Sequence, residues 1–223
     1  MSQMMLMFRK EWLNFVRGDR SVLVVYFIMV VGWGALLASM NTGGATTAPL
    51  WIVFFSVVIA ANFSSTVFVL ERMSGSLEIL LTSGLSRSAI LYGKMLFVVL
   101  MTLLLGGACA VFALLLRPYI AALQRAPADL RNLWPYFALY AGATFMNAAS
   151  SAYFSVWLPN PRLLHFINLL LLGFIMAGYM AVSFIHPLSL YFIAGILALL
   201  GVCFTFLARR EFESERIIKP VVL

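Results

Sequence analysis

FVLERMSGSLEILLTSGLSRSAILYGKML, residues 68–96, is the stretch from which the architecture follows, because it places a charged, helix-forming segment between two long apolar runs without charge. Ser76 is suited to cap a short apolar helix that Gly84 ends, and Ser86 is suited to start the next helix. A connector that only led the chain back into the membrane would need about two to eight residues. The connector at residues 71–94 is much longer. The segment predicts either a docking site for a soluble partner or a helix folded onto the bilayer or the bundle.

Composition places the chain among integral membrane proteins. Of its 223 residues, 63% are hydrophobic and 10% are charged, and the mean hydropathy is +1.01. A soluble domain is about 45–50% apolar. A helix that crosses the hydrocarbon needs about 20 apolar residues. Charge-free apolar runs of about this length are residues 22–40, 51–70, 95–116, 136–157, 163–185 and 188–208.

The predicted fold is therefore all-α, with six transmembrane helices preceded by an N-terminal interfacial elbow helix. Residues 1–20 form the elbow, residues 21–210 form the six-span domain with its cytosolic segment 71–94, and residues 211–223 form a short tail. Only His186 and Pro187 separate the last two runs. A re-entrant hairpin at this point is an open alternative, provided that its backbone is buried in protein or hydrated.

Charge predicts that both termini are cytosolic. With the N-terminus inside, all but three of the 15 Lys and Arg residues fall on the cytosolic side, the exceptions being Arg117, Arg125 and Arg131. Cytosolic loops carry this excess in multi-pass proteins. The net charge of +7 fits orientation and contact with anionic lipids, whereas nucleic acid would require a contiguous basic face. We expect a plasma-membrane protein, in the inner membrane of a bacterium.

The N-terminal stretch has the pattern of an amphipathic helix. Phe8, Trp12 and Phe15 recur at helical spacing, while Lys10 and Arg17 fall on the opposite face. The pattern predicts a helix lying at the inner interface with Trp12 at headgroup depth. A generic membrane anchor and a specialised elbow are equally compatible with it.

The elbow, the six runs and the Glu71-Arg72, Gly75-Ser76-Leu77-Glu78 and Gly93-Lys94 elements resemble the permease subunits of the type-2 ABC exporter family. The resemblance covers nearly the full length and implies that the segment after the second span is a coupling helix, which docks on a cytosolic ABC ATPase subunit and receives the ATP-driven motion. The implied docking residues are Gly75, Ser76, Leu77, Glu78, Leu80, Leu81 and Leu85. The implied elbow residues are Phe8, Trp12 and Arg17.

The chain itself is not expected to be an enzyme. A phosphate-binding loop needs glycine-rich backbone and Lys followed by Ser or Thr, and Gly93-Lys94-Met95 lacks both the upstream glycine and the hydroxyl. We therefore expect no cofactor on this chain, with ATP and Mg2+ held by the partner ATPase. No catalytic constellation is visible in the sequence, and no metal site is predicted from Cys109, Cys203, His165 or His186.

Polar side chains inside the spans are candidates for a translocation path. They are Asn62, Thr66, Asn147, Ser151 and Ser155. Hydrogen bonds between helices would explain the same residues, so both interpretations stay open. The spans carry no charge of the kind that ion pathways use. An amphiphilic or lipid-like cargo fits such a lining, and the resemblance to the exporter family implies that the cargo moves outward.

Six spans seldom enclose a large path, so we expect a dimer, with an identical copy as the second half. A haem-exporter type permease of cytochrome c maturation has a similar length and span number and is the nearest alternative. Two further alternatives are a membrane scaffold that recruits an ATPase without moving cargo and a channel that conducts without any ATPase.

Overall fold

The computed structural model describes residues 3–18, 20–40, 48–82, 84–124, 134–158, 160–185 and 189–213, and within these ranges the chain is entirely helical. The predicted tail began at residue 211, but α9 continues to Glu213; residues 214–223 and the turn at His186 and Pro187 lie outside the described residues. The first half contains α1 (Gln3–Arg17), α2 (Arg20–Met40), α3 (Ala48–Ser64), a π-helical segment (Ser65–Leu70), α4 (Glu71–Met73) and α5 (Ser76–Thr82). The second half contains α6 (Arg87–Gln124), α7 (Trp134–Phe154), α8 (Pro161–Ile185) and α9 (Leu190–Glu213).

Among the described residues, four stretches of helix are long and apolar enough to cross a membrane, and the chain is accordingly an α-helical membrane protein. They are Trp51–Met73, Arg87–Leu116, Arg162–Val182 and Leu190–Glu213. These stretches correspond to the second, third, fifth and sixth apolar runs of the sequence.

The first and fourth apolar runs are also helical, but they differ from the other four. In α2 the apolar part, Leu23–Ser39, is shorter than the usual span. In α7 the interior is rich in small and polar side chains such as Thr144, Asn147 and Ser150, which lower its hydropathy. Both helices were predicted as spans from runs of about 20 apolar residues without charge, a criterion that does not weigh how hydrophobic each residue is.

The buried core is built around α7, which packs against α3 and α9. Its buried face carries Leu139, Ala143 and Met146. A second region of the core is aromatic and lies where α1, α2, α3 and α6 meet. There Phe63 stacks on Tyr26, with ring centroids 5.1 Å apart, and contacts Phe97 edge to face at 5.8 Å.

Helix α1 is part of this core. Met7 is fully buried, and Phe15 lies 5.6 Å from Phe63, measured between ring centroids. The opposite side of α1 exposes Trp12 and Val16. The elbow is therefore packed onto the bundle through one side and leaves an apolar strip on the other.

Candidate functional site

The segment between α4 and α6 forms a separate short helix with a turn at each end. Gly75 has φ +71° and Gly84 has φ +79°, left-handed conformations that favour glycine. At the far end, the backbone N–H of Ala89 donates to Ser86 Oγ at 3.3 Å, so Ser86 caps α6. The predicted helix, its termination at Gly84 and the new start at Ser86 are confirmed.

Exposure divides the side chains of this segment into two groups. Ile79 is 71% exposed and Met73 is 63% exposed. Leu80 and Leu85 are half-buried against the main core. Leu77, Glu78 and Leu81 belong to the helix by their backbone, and their side chains lie outside the description.

The sequence-based docking set did not contain Ile79 or Met73. Neighbouring residues of a helix point about 100° apart, and the structure turns Leu80 toward the core and leaves Ile79 exposed. Which of the two is exposed depends on how α5 packs, so no local signal in the sequence selects Ile79.

Four charged side chains meet where α1, α4 and α6 come together, and we call this cluster the ionic junction: Lys10, Glu11, Glu71 and Lys94. The Lys94 ammonium donates to Glu71 Oε2 and to the Val67 carbonyl, and it lies 3.8 Å from Glu11 Oε1. The Lys10 ammonium donates to Glu71 Oε1 at 2.5 Å and to Glu11 Oε1 at 3.2 Å. Two cations thus share two carboxylates across three helices.

Burial of the ionic junction is unusually deep for charged groups. The Lys94 side chain is 0% exposed and that of Glu11 is 5% exposed. Charged groups are buried at a large desolvation cost unless they are paired. The equal numbers of cations and carboxylates meet this requirement and leave the cluster without net charge.

The two side chains that α1 contributes to the ionic junction, Lys10 and Glu11, differ in how their pKa values respond to these surroundings. Burial lowers the pKa of Lys10, but its hydrogen bond to Glu71 and the attraction of both carboxylates outweigh burial and raise the pKa. Burial raises the pKa of Glu11 against the attraction of Lys94 and Lys10. The pairing therefore favours the charged form of Lys10, whereas burial disfavours the charged form of Glu11.

Local backbone geometry explains how Lys94 reaches its partners. The π-helical segment places the Val67 carbonyl where the ammonium of Lys94 can bond to it. Such segments inside α-helices are frequent at functional sites. On the other side, a Cβ at Gly93 would lie 2.6 Å from Met7 Cβ and 2.9 Å from the Met4 carbonyl oxygen. Gly93 thus lets α1 approach α6 closely, next to Lys94.

Arg72 and Arg87 attach the same segment to the ends of two other helices. Arg72 donates to the carbonyls of Ser155, at 2.8 Å, and Val156, at 2.5 Å, just beyond α7. Arg87 donates to the Glu213 carbonyl at the end of α9, at 2.8 Å. The last carbonyls of a helix lack partners in the helix and favour cations. The residues that flank α5 therefore form ion pairs or hydrogen bonds with α1, with α6 and with the ends of α7 and α9.

The predicted elbow residues occupy different positions around α1. Phe8 packs on Phe97, with ring centroids 6.1 Å apart, whereas Trp12 and Arg17 are exposed. Lys10 was expected on the polar face toward headgroups and instead bonds within the ionic junction. Its helical position marked it as polar, but only the fold brings it to Glu71.

Of the five candidate pathway residues, only Ser151 forms a side-chain hydrogen bond to another helix among the described residues. Asn168 Nδ2 donates to Ser151 Oγ at 2.6 Å, and Ser150 Oγ donates to Asn168 Oδ1 at 2.9 Å, which joins α7 to α8. We call these three residues the α7–α8 seam. The interhelical alternative therefore accounts for Ser151.

The other candidates bond within their own helices or lack a partner. Asn62 donates to the Val58 carbonyl, Thr66 to the Asn62 carbonyl and Ser155 to the Ala152 carbonyl. The amide of Asn147 is buried and has no hydrogen-bond partner among the described residues. An apolar cleft of about 480 Å3 lies between α3 and α8, with walls that include Trp51, Val57 and Met176, and none of the five candidates lines it.

Within the described part of the chain, no three or more His, Cys, Asp or Glu residues are grouped so that they could hold a metal ion. No protein-family model matches the sequence, and no curated protein matches it significantly.

Proposed function

We propose that this chain is the transmembrane permease subunit of an ATP-driven exporter, which works as a pair of copies and docks a cytosolic ABC ATPase through α5. In this proposal α2 and α7 cross the membrane together with the four longer apolar helices, so that each copy contributes six spans. ATP and Mg2+ are bound by the ATPase. The cargo is amphiphilic or lipid-like and moves outward between the two copies, across a bacterial inner membrane with both termini in the cytosol.

The observation that carries the proposal is the exposure of Ile79 on a short helix whose flanking residues are bonded to the bundle. Apolar patches rimmed by polar side chains mark interaction surfaces, and the exposed Ile79 supports such a surface at this end of the bundle. Met73 extends the same apolar character to the start of the segment. The distribution of Lys and Arg along the sequence supports a cytosolic position for this end of the bundle.

The attachment of α5 supports a mechanical role for it. A helix that only closed a loop would not need Glu71, Arg72 and Arg87 to bind three different parts of the bundle. With these bonds in place, a force applied to α5 reaches helices from both halves of the chain. This arrangement suits a subunit that receives motion from a soluble partner.

The test is to isolate the tagged chain from its native membranes with the ATPase that accompanies it, and then to measure ATPase binding by purified variants. Ile79→Asp places a charge at the proposed contact and should weaken binding about tenfold or more, as for an interface residue worth more than about 1.4 kcal/mol. Ile79→Leu keeps an apolar side chain of equal size and should bind as the wild type does.

Thermal unfolding of both variants serves as the control, because position 79 is exposed and either change should leave the fold intact. Equal ATPase binding by Ile79→Asp and the wild type would contradict the docking role of α5. Full transport activity by the membrane subunit alone would contradict the whole proposal.

A further inference from the structure

The Lys94 side chain contacts several elements of the fold in addition to pairing with one carboxylate. Its ammonium contacts Glu71 at the start of α4 and Val67 in the π-helical segment, and it lies within ion-pair distance of Glu11 on α1. The residue itself belongs to α6. One fully buried side chain thus links α6 to α4, to the π-helical segment and to α1.

We propose that Lys94 is a positioning residue that holds α1, α4 and α6 together as one unit, so that a displacement of α5 moves α1 and α6 with it. The inference rests on the proposed function, in which an ATPase displaces α5. It adds the internal part of the transmission, which is distinct from the surface that the ATPase contacts.

The geometry favours a charged link over simple packing at this point. Attraction between ions acts at a distance and strengthens where water is excluded, so the junction can stay bonded while side chains shift by small amounts. Glu71 uses one carboxylate oxygen for Lys94 and the other for Lys10. A single carboxylate therefore connects α4 to α6 and to α1 at once.

The π-helical segment adds a place where the chain can change shape. It lies directly before Glu71, and the Val67 carbonyl within it is bonded by Lys94 rather than left to the helix alone. Packed interfaces switch between discrete arrangements. A π-helical turn held by a side chain can pass a movement of α4 into α3 without unfolding either helix.

A variant that neutralises both partners separates positioning from stability. Lys94→Met/Glu71→Gln removes the buried cation together with one carboxylate and leaves Lys10 paired with Glu11, which is 3.2 Å away. Replacing a buried ion pair by neutral groups of similar volume is often harmless to stability, whereas removing one partner is not. The double variant should therefore fold and lose only the ionic link.

The experiment measures the distance between spin labels on α1 and α5 in lipid vesicles. Labels are attached through Val16→Cys and Ile79→Cys, both at exposed positions, in a Cys203→Ser background. The membrane subunit is used alone, so the outcome does not depend on ATPase binding. For the otherwise wild-type chain we expect a single narrow distance distribution. In Lys94→Met/Glu71→Gln the distribution should broaden, while the midpoint of thermal unfolding stays unchanged.

The matched control is Glu213→Gln, which removes the exposed pair with Arg209 and should leave the distribution narrow. A narrow distribution in the double variant would overturn the proposal. If the double variant fails to fold, Lys94→Met/Glu11→Gln removes the same cation together with the other carboxylate and leaves Lys10 paired with Glu71. A distribution as narrow as the wild type's in that variant would overturn the proposal equally. Failure of the proposed function is detected separately, by ATPase binding that does not respond to Ile79→Asp.

Discussion

The ionic junction and the α7–α8 seam are both buried and polar, yet they are built in opposite ways. The junction uses four full charges from α1, α4 and α6, which are far apart in sequence. The seam uses neutral side chains from two successive helices, with Asn168 placed between Ser150 and Ser151. The junction adjoins the exposed helix α5, whereas the seam lies within the bundle.

The contrast shows what each chemistry is suited to do in a membrane protein. Neutral hydrogen bonds between helices are modest, about 0.6 kcal/mol on average, and a single loss is tolerated. Buried charges are costly unless paired, so losing one partner is expensive while losing both is not. The junction therefore responds strongly to a change in any one member, a property that suits a point of force transmission.

The largest effect is expected when one charge of the junction is removed alone. Glu71→Gln leaves the fully buried Lys94 without its closest carboxylate and should lower the free energy of unfolding by about 3–5 kcal/mol. Removing one carboxylate from the exposed Arg209–Glu213 pair, by Glu213→Gln, should cost no more than about 0.5 kcal/mol. Unfolding in detergent measures both, and equal effects would show that the junction is not a tightly paired site.

A smaller effect is expected from crowding the contact between α1 and α6. Gly93→Ala inserts a methyl group 2.6 Å from Met7 Cβ and close to the Met4 carbonyl, which should cost about 1–3 kcal/mol. In the same helix, a Cβ at Gly107 meets no atom within 4 Å. Gly107→Ala should therefore be neutral or stabilising by up to about 1 kcal/mol. A destabilised Gly107→Ala would point to helix-wide sensitivity rather than to the α1 contact.

The smallest effect is expected at the seam. Asn168→Ala removes the hydrogen bonds to Ser150 and Ser151 and should destabilise the chain by about 0.6–1.7 kcal/mol. Thr66→Ala removes a bond within its own helix at an exposed position and should change stability by less. A loss at Asn168 as large as that at Glu71 would remove the distinction between the two regions.

Much of this architecture follows from local patterns in the sequence. Charge-free apolar length located the spans near residues 51–70, 95–116, 163–185 and 188–208. Ser86 and Gly84 marked the ends of helices correctly because caps and left-handed turns depend on neighbouring residues only. The helical character of α1 and α5 followed from their spacing in the same way.

What the sequence did not reveal depends on contacts between distant parts of the chain. Nothing local pairs Lys10 with Glu71 or places the Val67 carbonyl near Lys94. The Gly93-Lys94 element was recognised as a pattern, but its role as a contact for α1 emerges only when Met7 packs on it. Exposure of Ile79 likewise depends on which side of α5 the core covers.

Docking of an ATPase on α5 is tested most directly by cross-linking in native membranes, from a photoreactive side chain introduced in place of Ile79. We expect the group at position 79 to form a covalent product with an ATP-hydrolysing polypeptide. The same group in place of Thr66, an exposed position in the adjacent π-helical segment, should form no product with that polypeptide. Products with lipid alone from position 79, or the same ATPase product from both positions, would contradict this docking.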